Sequence, residues 1–290
     1  MMAFLNRRLQ VCYENAKGPV ETVLHGYNAW LNPGNMYPFV LQELRHFNAP
    51  LVELVNQTYH MKGSKVIFVD VGSAIGDTVL LLKQRCPSMV ERYLCIEGDP
   101  EFCRLLAHNV SAFNDVDIIR AVLARQMMSI RSLVKHHRGT AASLGATMIA
   151  AQDLDSVEEL KRVPIDIVKT DVDGFDGEVL WGAKRLLKAY QPSVIFEWHP
   201  KLTIATGHHP LAAFDALGDC GYRRFLWFSN IGTFSHFSSG VAPEIVNREM
   251  EYLLKVNSRA DEHFDVVALP DASKVDEVAL AAMDYARSRT

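Results

Sequence analysis

The stretch Ile165–Leu180, IDIVKTDVDGFDGEVL, decides how the rest of the chain is read. Its first half is a short, β-branched apolar run. Its second half packs Asp171, Asp173, Asp176 and Glu178 into eight residues directly behind that run. A D-x-D pattern is how a calcium loop begins, but the spacing fails: the sixth loop position, where a glycine is needed, is Asp176, and the closing glutamate position is Gly182. The stretch reads instead as a buried strand that ends on a carboxylate and turns into a helix, with Asp173 and Gly174 shaping the turn and Asp176 and Glu178 suiting the helix N-terminal dipole.

Working outward, three more apolar runs end in the same way: VIFVD at Asp70, YLCIE at Glu97 and SVIFE at Glu197. The candidate strands are KVIFVDV, RYLCIEG, VDIIRAVL, IDIVKTD, SVIFEWH, YRRFLWF and FDVVALP. Among them lie helix-spaced segments such as DTVLLLKQRC, PEFCRLLAHNV and DGEVLWGAKRLLKAY. Strands that are apolar throughout need helices on both faces, so the expectation is an α/β, doubly wound, mostly parallel sheet of seven strands. In such a sheet the carboxyl ends share one rim and ligands bind outside it, so the four acids should converge on one pocket. Any single acid there equally suits the cap of the next helix.

Composition narrows the class. The chain has 290 residues, 49% of them hydrophobic, with a formal net charge of −4, which gives no overall attraction to nucleic acid or to an anionic membrane. The cysteines Cys12, Cys86, Cys95, Cys103 and Cys220 show neither C-x-x-C nor zinc-ligand spacing. The run MMAFLNRRLQ is too short in apolar residues for a signal peptide, so the expectation is a cytoplasmic protein. Residues 1–60, including YPFVLQELRHFNAPLVELV, read as an N-terminal helical cap or lid, and residues 61–290 as the sheet domain. APEIVNREMEYLLKV reads as a helical insertion.

The loop VDVGSAIGDT carries Gly72 and Gly76, with Ala74 where a dinucleotide fingerprint has its second glycine. It is flanked by Asp70 and Asp77 and contains no lysine or arginine. A pyrophosphate would face two carboxylates there, whereas a ligand with an ammonium and a sulfonium would be attracted by them, which favours S-adenosylmethionine over a nicotinamide dinucleotide. Asp70, Gly72, Ser73, Gly76, Asp77 and Thr78 are the candidate cofactor contacts in this loop. Glu97, followed by Gly98, lies 21 residues beyond Gly76, where an acid binds both hydroxyls of a ribose.

VDVGSAIGDT, CIEGDPEFCRLLAHN and IDIVKTDVDGFDGEVLWGAKRLLKAYQPSVIFEWHP together resemble the FkbM family of S-adenosylmethionine-dependent methyltransferases, over roughly residues 60 to 200 plus FDVVALP. The most specific part is K-x-D-V-[DE]-G-x-x-x-x-V-L-x-G-A followed by a strand ending in glutamate. The resemblance implies a class I methyltransferase (Rossmann-like) fold and methyl transfer to a hydroxyl of a sugar, polyketide or other small molecule. It puts Asp70, Gly72 and Gly76 in the cofactor loop, Glu97 on the ribose and Asp171 on the rim facing the acceptor. The chain departs from the family in Asp173, Gly98 and Trp198-His199.

An alcohol acceptor has to lose its proton, to a base or with help from a metal. Asp171, Glu197 and His199 are the catalytic candidates, and the same three could hold a divalent cation such as magnesium. From Ile118 to Gln152 there is no acid, while Arg120, Arg125, Arg131, Lys135 and Arg138 occur with His136 and His137. This segment is either a solvated surface or a recognition element for an anionic acceptor, through Arg131 and Arg138. His208-His209 reads as structural, and FLWFSNIGTFSHF as a core strand and hairpin from which Trp227 or Phe234 could line an acceptor pocket. The partner is then a small-molecule acceptor, with no nucleic acid and no membrane; a homo-oligomer is left open. The alternatives are a nicotinamide-dependent oxidoreductase and a non-catalytic cofactor-binding regulatory subunit.

Overall fold

A computed structural model describes residues 16–43, 47–135, 141–161, 163–240, 243–256 and 262–282. Its centre is a sheet whose strands are β3 (Val66–Val71), β4 (Val90–Glu97), β5 (Val116–Arg120), β8 (Ile167–Thr170), β9 (Ser193–Trp198), β10 (Tyr222–Ser229), β11 (Phe234–Ser239) and β12 (Phe264–Pro270). The spatial order is β11-β10-β12-β9-β8-β3-β4-β5. Strands β5, β4, β3, β8 and β9 pair in parallel, whereas β12 runs antiparallel between β9 and β10. All seven expected strands are present, but the sheet is mixed and has eight. The extra strand, β11, folds back from β10 across the turn at Asn230–Gly232, where Gly232 has φ +83°.

Alternation of side chains along each strand divides the core into two layers. On one face Val69, Ile96, Val168 and Phe196 pack with α5 (Asp176–Trp181), α6 (Lys184–Tyr190) and α8 (Ala212–Gly218). On the other, Phe68, Tyr93, Ile167 and Ile195 pack with α2 (Ala49–Lys62), α3 (Asp77–Arg85) and α4 (Pro100–Asn109). The expected single helix DGEVLWGAKRLLKAY breaks into α5 and α6 at Gly182. A Cβ there would stand 2.4 Å from the Ala124 carbonyl oxygen, so the helix passes too close to a neighbouring loop to carry a side chain. The insertion forms α9 (Pro243–Val256), as its sequence suggests.

The N-terminal part is only partly helical. Helices α1 (Tyr37–Glu43) and α2 are present, but β1 (Val20–Leu24) and β2 (Tyr27–Leu31) form an antiparallel hairpin before them. His25 and Gly26, both with positive φ, make the two-residue turn that such a hairpin favours. Asn109 at the end of α4 secures the hairpin to that helix and to the loop after β3: its Oδ1 accepts from the Trp30 N–H at 2.7 Å, and its Nδ2 donates to the carbonyls of Trp30 and Ile75. A second separate hairpin, β6 (Met128–Lys135) with β7 (Ala141–Ala151), occupies the cationic segment.

Candidate active site

Above the carboxyl ends of β3, β4, β8 and β9 lies a cavity of about 400 Å³, within the range of small-molecule sites. One side is built by the loop between β3 and α3. Gly72 has φ +79°, and a Cβ there would fall 2.0 Å from the Asp171 carbonyl oxygen; glycine is required both for the backbone angle and for the approach of two loops. The Gly72 and Ser73 N–H groups donate to the Ile96 carbonyl, and the Ser73 hydroxyl donates to the Asp70 carbonyl at 2.7 Å. Glu97 closes this side. Its carboxylate accepts from the backbone N–H of Ala74 at 2.8 Å and of Asp99 at 2.7 Å, so it braces the loop while facing the cavity. Burial pushes its pKa up to about 7, against the pull of those N–H donors.

Asp70 is not a wall residue. It is fully buried beneath the floor, and neither of its oxygens is hydrogen-bonded. Its register partner on β8 is Lys169, whose Nζ stands 3.5 Å from Asp70 Oδ1 and donates to Asp171 Oδ2 at 3.1 Å. Burial works against the Lys169 ammonium, but Asp171, Asp70 and Asp77 outweigh it and the lysine stays charged. Burial also raises Asp77, to about 6, with Lys169 opposing. Of the loop candidates, Gly72, Asp77 and Thr78 line the cavity, as do Glu97 and Gly98; Ser73 and Gly76 support the loop from behind.

The other side is made by β8, β9 and β12. Asp171, Asp173 and Glu197 line it, as the strand-end pattern implies. Asp173 and Gly174 both have positive φ and form the tight turn out of β8. Asp176 and Glu178 do more than favour a helix dipole. Asp176 is buried, accepts from the Thr170 hydroxyl at 3.0 Å and is pushed to about 7 by burial; Glu178 pairs with Arg125 at 2.8 Å. His199 lines the cavity, but its Nδ1 accepts from the Leu202 N–H at 3.3 Å, which caps helix α7 (Pro200–Ala205). The ring of His263 stacks on it, with centroids 5.6 Å apart, and His263 Nε2 reaches Glu197 Oε2 at 3.3 Å. Asp265 stands opposite Glu197 in the β9–β12 register. Burial, and then the charges of Asp171, Asp173, Asp176 and Asp265, hold Glu197 well above the usual carboxylate range; burial and Asp171 bring Asp265 to about 7.

The three candidate metal ligands, Asp171, Glu197 and His199, are not assembled as a set. Among the described residues no group of three His, Cys, Asp or Glu side chains is placed to hold a metal ion. His199 Nδ1 is used in a helix cap, and Glu197 Oε2 lies against His263. Nor does an arginine line the cavity among the described residues. Arg131 is exposed on β6 and is not among the wall residues, while Arg138 lies outside the described residues; the β6–β7 hairpin contributes Ile130, Leu133 and Ser143 instead. Trp227 is fully buried in an aromatic core with Trp198 and Phe214, and Phe234 packs on Phe228, so neither lines the cavity. The tip of their hairpin does, through Asn230 and Ile231.

Lys169, His263 and Asp265 were not assigned a role from sequence. The lysine stood in the K-x-D motif, but only the register with Asp70 shows its purpose. His263 and Asp265 open a strand, and only an antiparallel strand brings its first residues to the rim where the parallel strands end. Asn35, Tyr37 and Asn48, from the N-terminal part, also line the cavity.

The decisive comparison is with sequence families: the model for the methyltransferase FkbM domain matches residues 70–224. The chain belongs to the FkbM methyltransferase family. The match takes in the loop after β3, Glu97, the K-x-D turn and Glu197. No curated protein matches the chain. Among solved structures, a methyltransferase FkbM from Methylobacillus flagellatus KT is similar at 12% identity and a TM-score of 0.41, over 71% of this chain and 43% of its own. The chain therefore spans less than half of that protein. Precorrin-6y C5,15-methyltransferase from Geobacter metallireducens GS-15 aligns at 14% identity and TM-score 0.39, over 71% of this chain and 81% of its own. TYW2 of M. jannaschii in complex with AdoMet aligns at 11% and 0.38, over 88% and 86%. No helix among the described residues is long and apolar enough to cross a membrane.

Proposed function

We propose that this FkbM-family protein binds S-adenosylmethionine and transfers its methyl group to a hydroxyl of a small molecule. The observation that carries the reading is the cradle made by Gly72 against Asp171, bounded by Asp77 and Glu97 and without a basic side chain from Asp70 to Thr78. A pyrophosphate has no cationic partner in this loop, whereas a nucleoside with an ammonium and a sulfonium meets carboxylates on both sides. Glu97 keeps lone pairs for a ribose beyond the two it gives to backbone N–H groups. When bound, S-adenosylmethionine supplies an electrophilic methyl group.

This chain's own residues then have two tasks. Gly72 and the braced loop fix the donor side, and Asp171, Glu197 and His263 offer oxygen and nitrogen acceptors for the hydroxyl proton on the other. Asp171 is held by Lys169, which keeps its charge near the floor of the cavity. Asn35, Tyr37, Asn48 and Phe47 are proposed to act as a lid over the cofactor side. Divalent-ion assistance has no assembled ligand set to support it among the described residues.

Calorimetric titration with S-adenosylmethionine, S-adenosylhomocysteine and NAD, followed by a screen of hydroxylated acceptors, tests the reading. Micromolar binding of both adenosyl ligands, weakened about tenfold in Glu97→Gln, is expected. Binding of NAD in their place would make the protein an oxidoreductase. Binding of the adenosyl ligands without turnover of any acceptor would favour a regulatory role.

A further inference from the structure

The acceptor side of the cavity has an unusual charge arrangement. Glu197 and Asp265 are directly opposed across β9 and β12, and both line the cavity. Like charges in directly opposed positions repel. Asp171 and Asp173 face the same space from the neighbouring strand end. Glu197 Oε1 is buried and accepts no hydrogen bond, while Oε2 meets His263. Among the described residues Lys169 is the lysine on the wall, and it is committed to Asp171 and Asp70.

We propose that the opposed carboxylates Glu197 and Asp265 form a charge-sensing pair that gives up a proton when a sulfonium nucleoside is bound and takes one back when the neutral thioether product replaces it. The proposal rests on the methyltransferase reading. Titratable groups face the pair from every described element around the cavity. The loop after β3 brings Asp77, β4 brings Glu97, and β8 with its turn brings Lys169, Asp171 and Asp173. His199 follows β9, His263 precedes β12, and Tyr37 comes from α1; Asp176 lies buried behind Asp171. The carboxylates outnumber the fixed cation, so they cannot all ionise together in a partly desolvated space. The raised proton affinities of Glu197 and Asp265 agree with this. A cation in the cavity changes that balance and expels a proton.

The acceptor oxygen forms the new C–O bond, the S–C bond breaks with its electron pair left on sulfur, and the acceptor's proton goes to the pair as the sulfonium charge disappears. No co-reactant is needed. The pair would therefore make the cavity prefer cofactor over spent product, an effect that grows as pH rises.

The test compares S-adenosylmethionine with S-adenosylhomocysteine, which share the amino acid, ribose and adenine and differ in the methylsulfonium. Calorimetry of the full chain in buffers of low and high ionisation enthalpy counts the protons released. S-adenosylmethionine should release more protons than S-adenosylhomocysteine, by an amount approaching one. The affinity ratio in its favour should rise between pH 6 and 8 by up to about tenfold per pH unit. In Glu197→Gln/Asp265→Asn, both ligands should still bind and the ratio should be flat with pH within about twofold. Equal proton counts and a pH-independent ratio in the wild type would overturn the inference while leaving the methyltransferase reading intact. Failure of both ligands to bind would overturn both.

Discussion

The two sides of the cavity are built on different terms. On the β3–β4 side the polar groups of the cavity wall satisfy one another: Glu97 is taken up by two backbone N–H groups, the loop amides by the Ile96 carbonyl, and glycine appears where two backbones meet, while Asp70 lies beneath the wall and meets only the Lys169 charge. On the β8–β9–β12 side, carboxylates face one another with few donors, and Glu197 Oε1 and Asp176 Oδ2 are buried without a hydrogen bond. A satisfied network is rigid and suited to a ligand that does not vary. A partly satisfied one carries a cost that a proton or a ligand relieves, and it sits where reactivity and choice of acceptor are decided.

Lys169 joins the two sides, so its removal should have the largest effect. Lys169→Met leaves fully buried Asp70 beside an apolar group and should cost about 3–5 kcal/mol of stability in denaturant unfolding, with part recovered on adding Asp70→Asn. A loss below about 1 kcal/mol would show that Asp70 already carries a proton in the folded state and that the sides are not tied through this charge. Gly72→Ala comes next, at about 2–3 kcal/mol, because its Cβ meets the Asp171 carbonyl at a φ that alanine resists. Adenosyl-ligand affinity should fall more than tenfold in that variant; unchanged affinity would mean the cradle is not the cofactor's.

These two expectations also mark what was legible in the sequence. The loop glycines, the strand-end acids and the positions of the parallel strands along the chain all follow from local patterns. The Asp70–Lys169 pairing does not, because Asp70 and Lys169 meet through strand register across about a hundred positions. His263 and Asp265 were hidden for a related reason: FDVVALP looks the same whichever way the strand runs, and its antiparallel direction alone brings Asp265 to Glu197. The β1–β2 hairpin stands where the sequence reading expects helix, although His25-Gly26 between alternating residues is a hairpin signal. The β6–β7 hairpin offered only charge as a clue, and that pointed at arginines the cavity does not use.

Asp176 gives a sharper comparison within the acidic side. Its folded pKa, about 7, lies above the unfolded value of 3.8, so the folded state holds the proton more tightly. That stabilising contribution is complete below about pH 4 and is lost as pH rises through 7. Between pH 5.5 and 7 the wild type should lose about 2 kcal/mol that Asp176→Asn, still able to meet the Thr170 hydroxyl, does not lose. Equal pH slopes in the two proteins would show that the acidic side is better solvated than its burial implies.

The smallest effect should come from Arg131, and it bears directly on which charges choose the acceptor. Arg131 is exposed on β6 opposite Met148, and the hydrogen bond it receives, from the Ser143 hydroxyl, goes to its carbonyl oxygen, which a substitution leaves in place. Arg131→Gln should therefore change stability by less than about 0.5 kcal/mol and leave adenosyl-ligand affinity within about twofold. The same variant should turn over any acceptor found by screening with an unchanged KM, whereas Asp265→Asn should not. A several-fold rise in KM for Arg131→Gln would reverse the ranking of the two regions: the cationic hairpin would then recognise an anionic acceptor at the mouth, and the carboxylates would be left to handle protons alone.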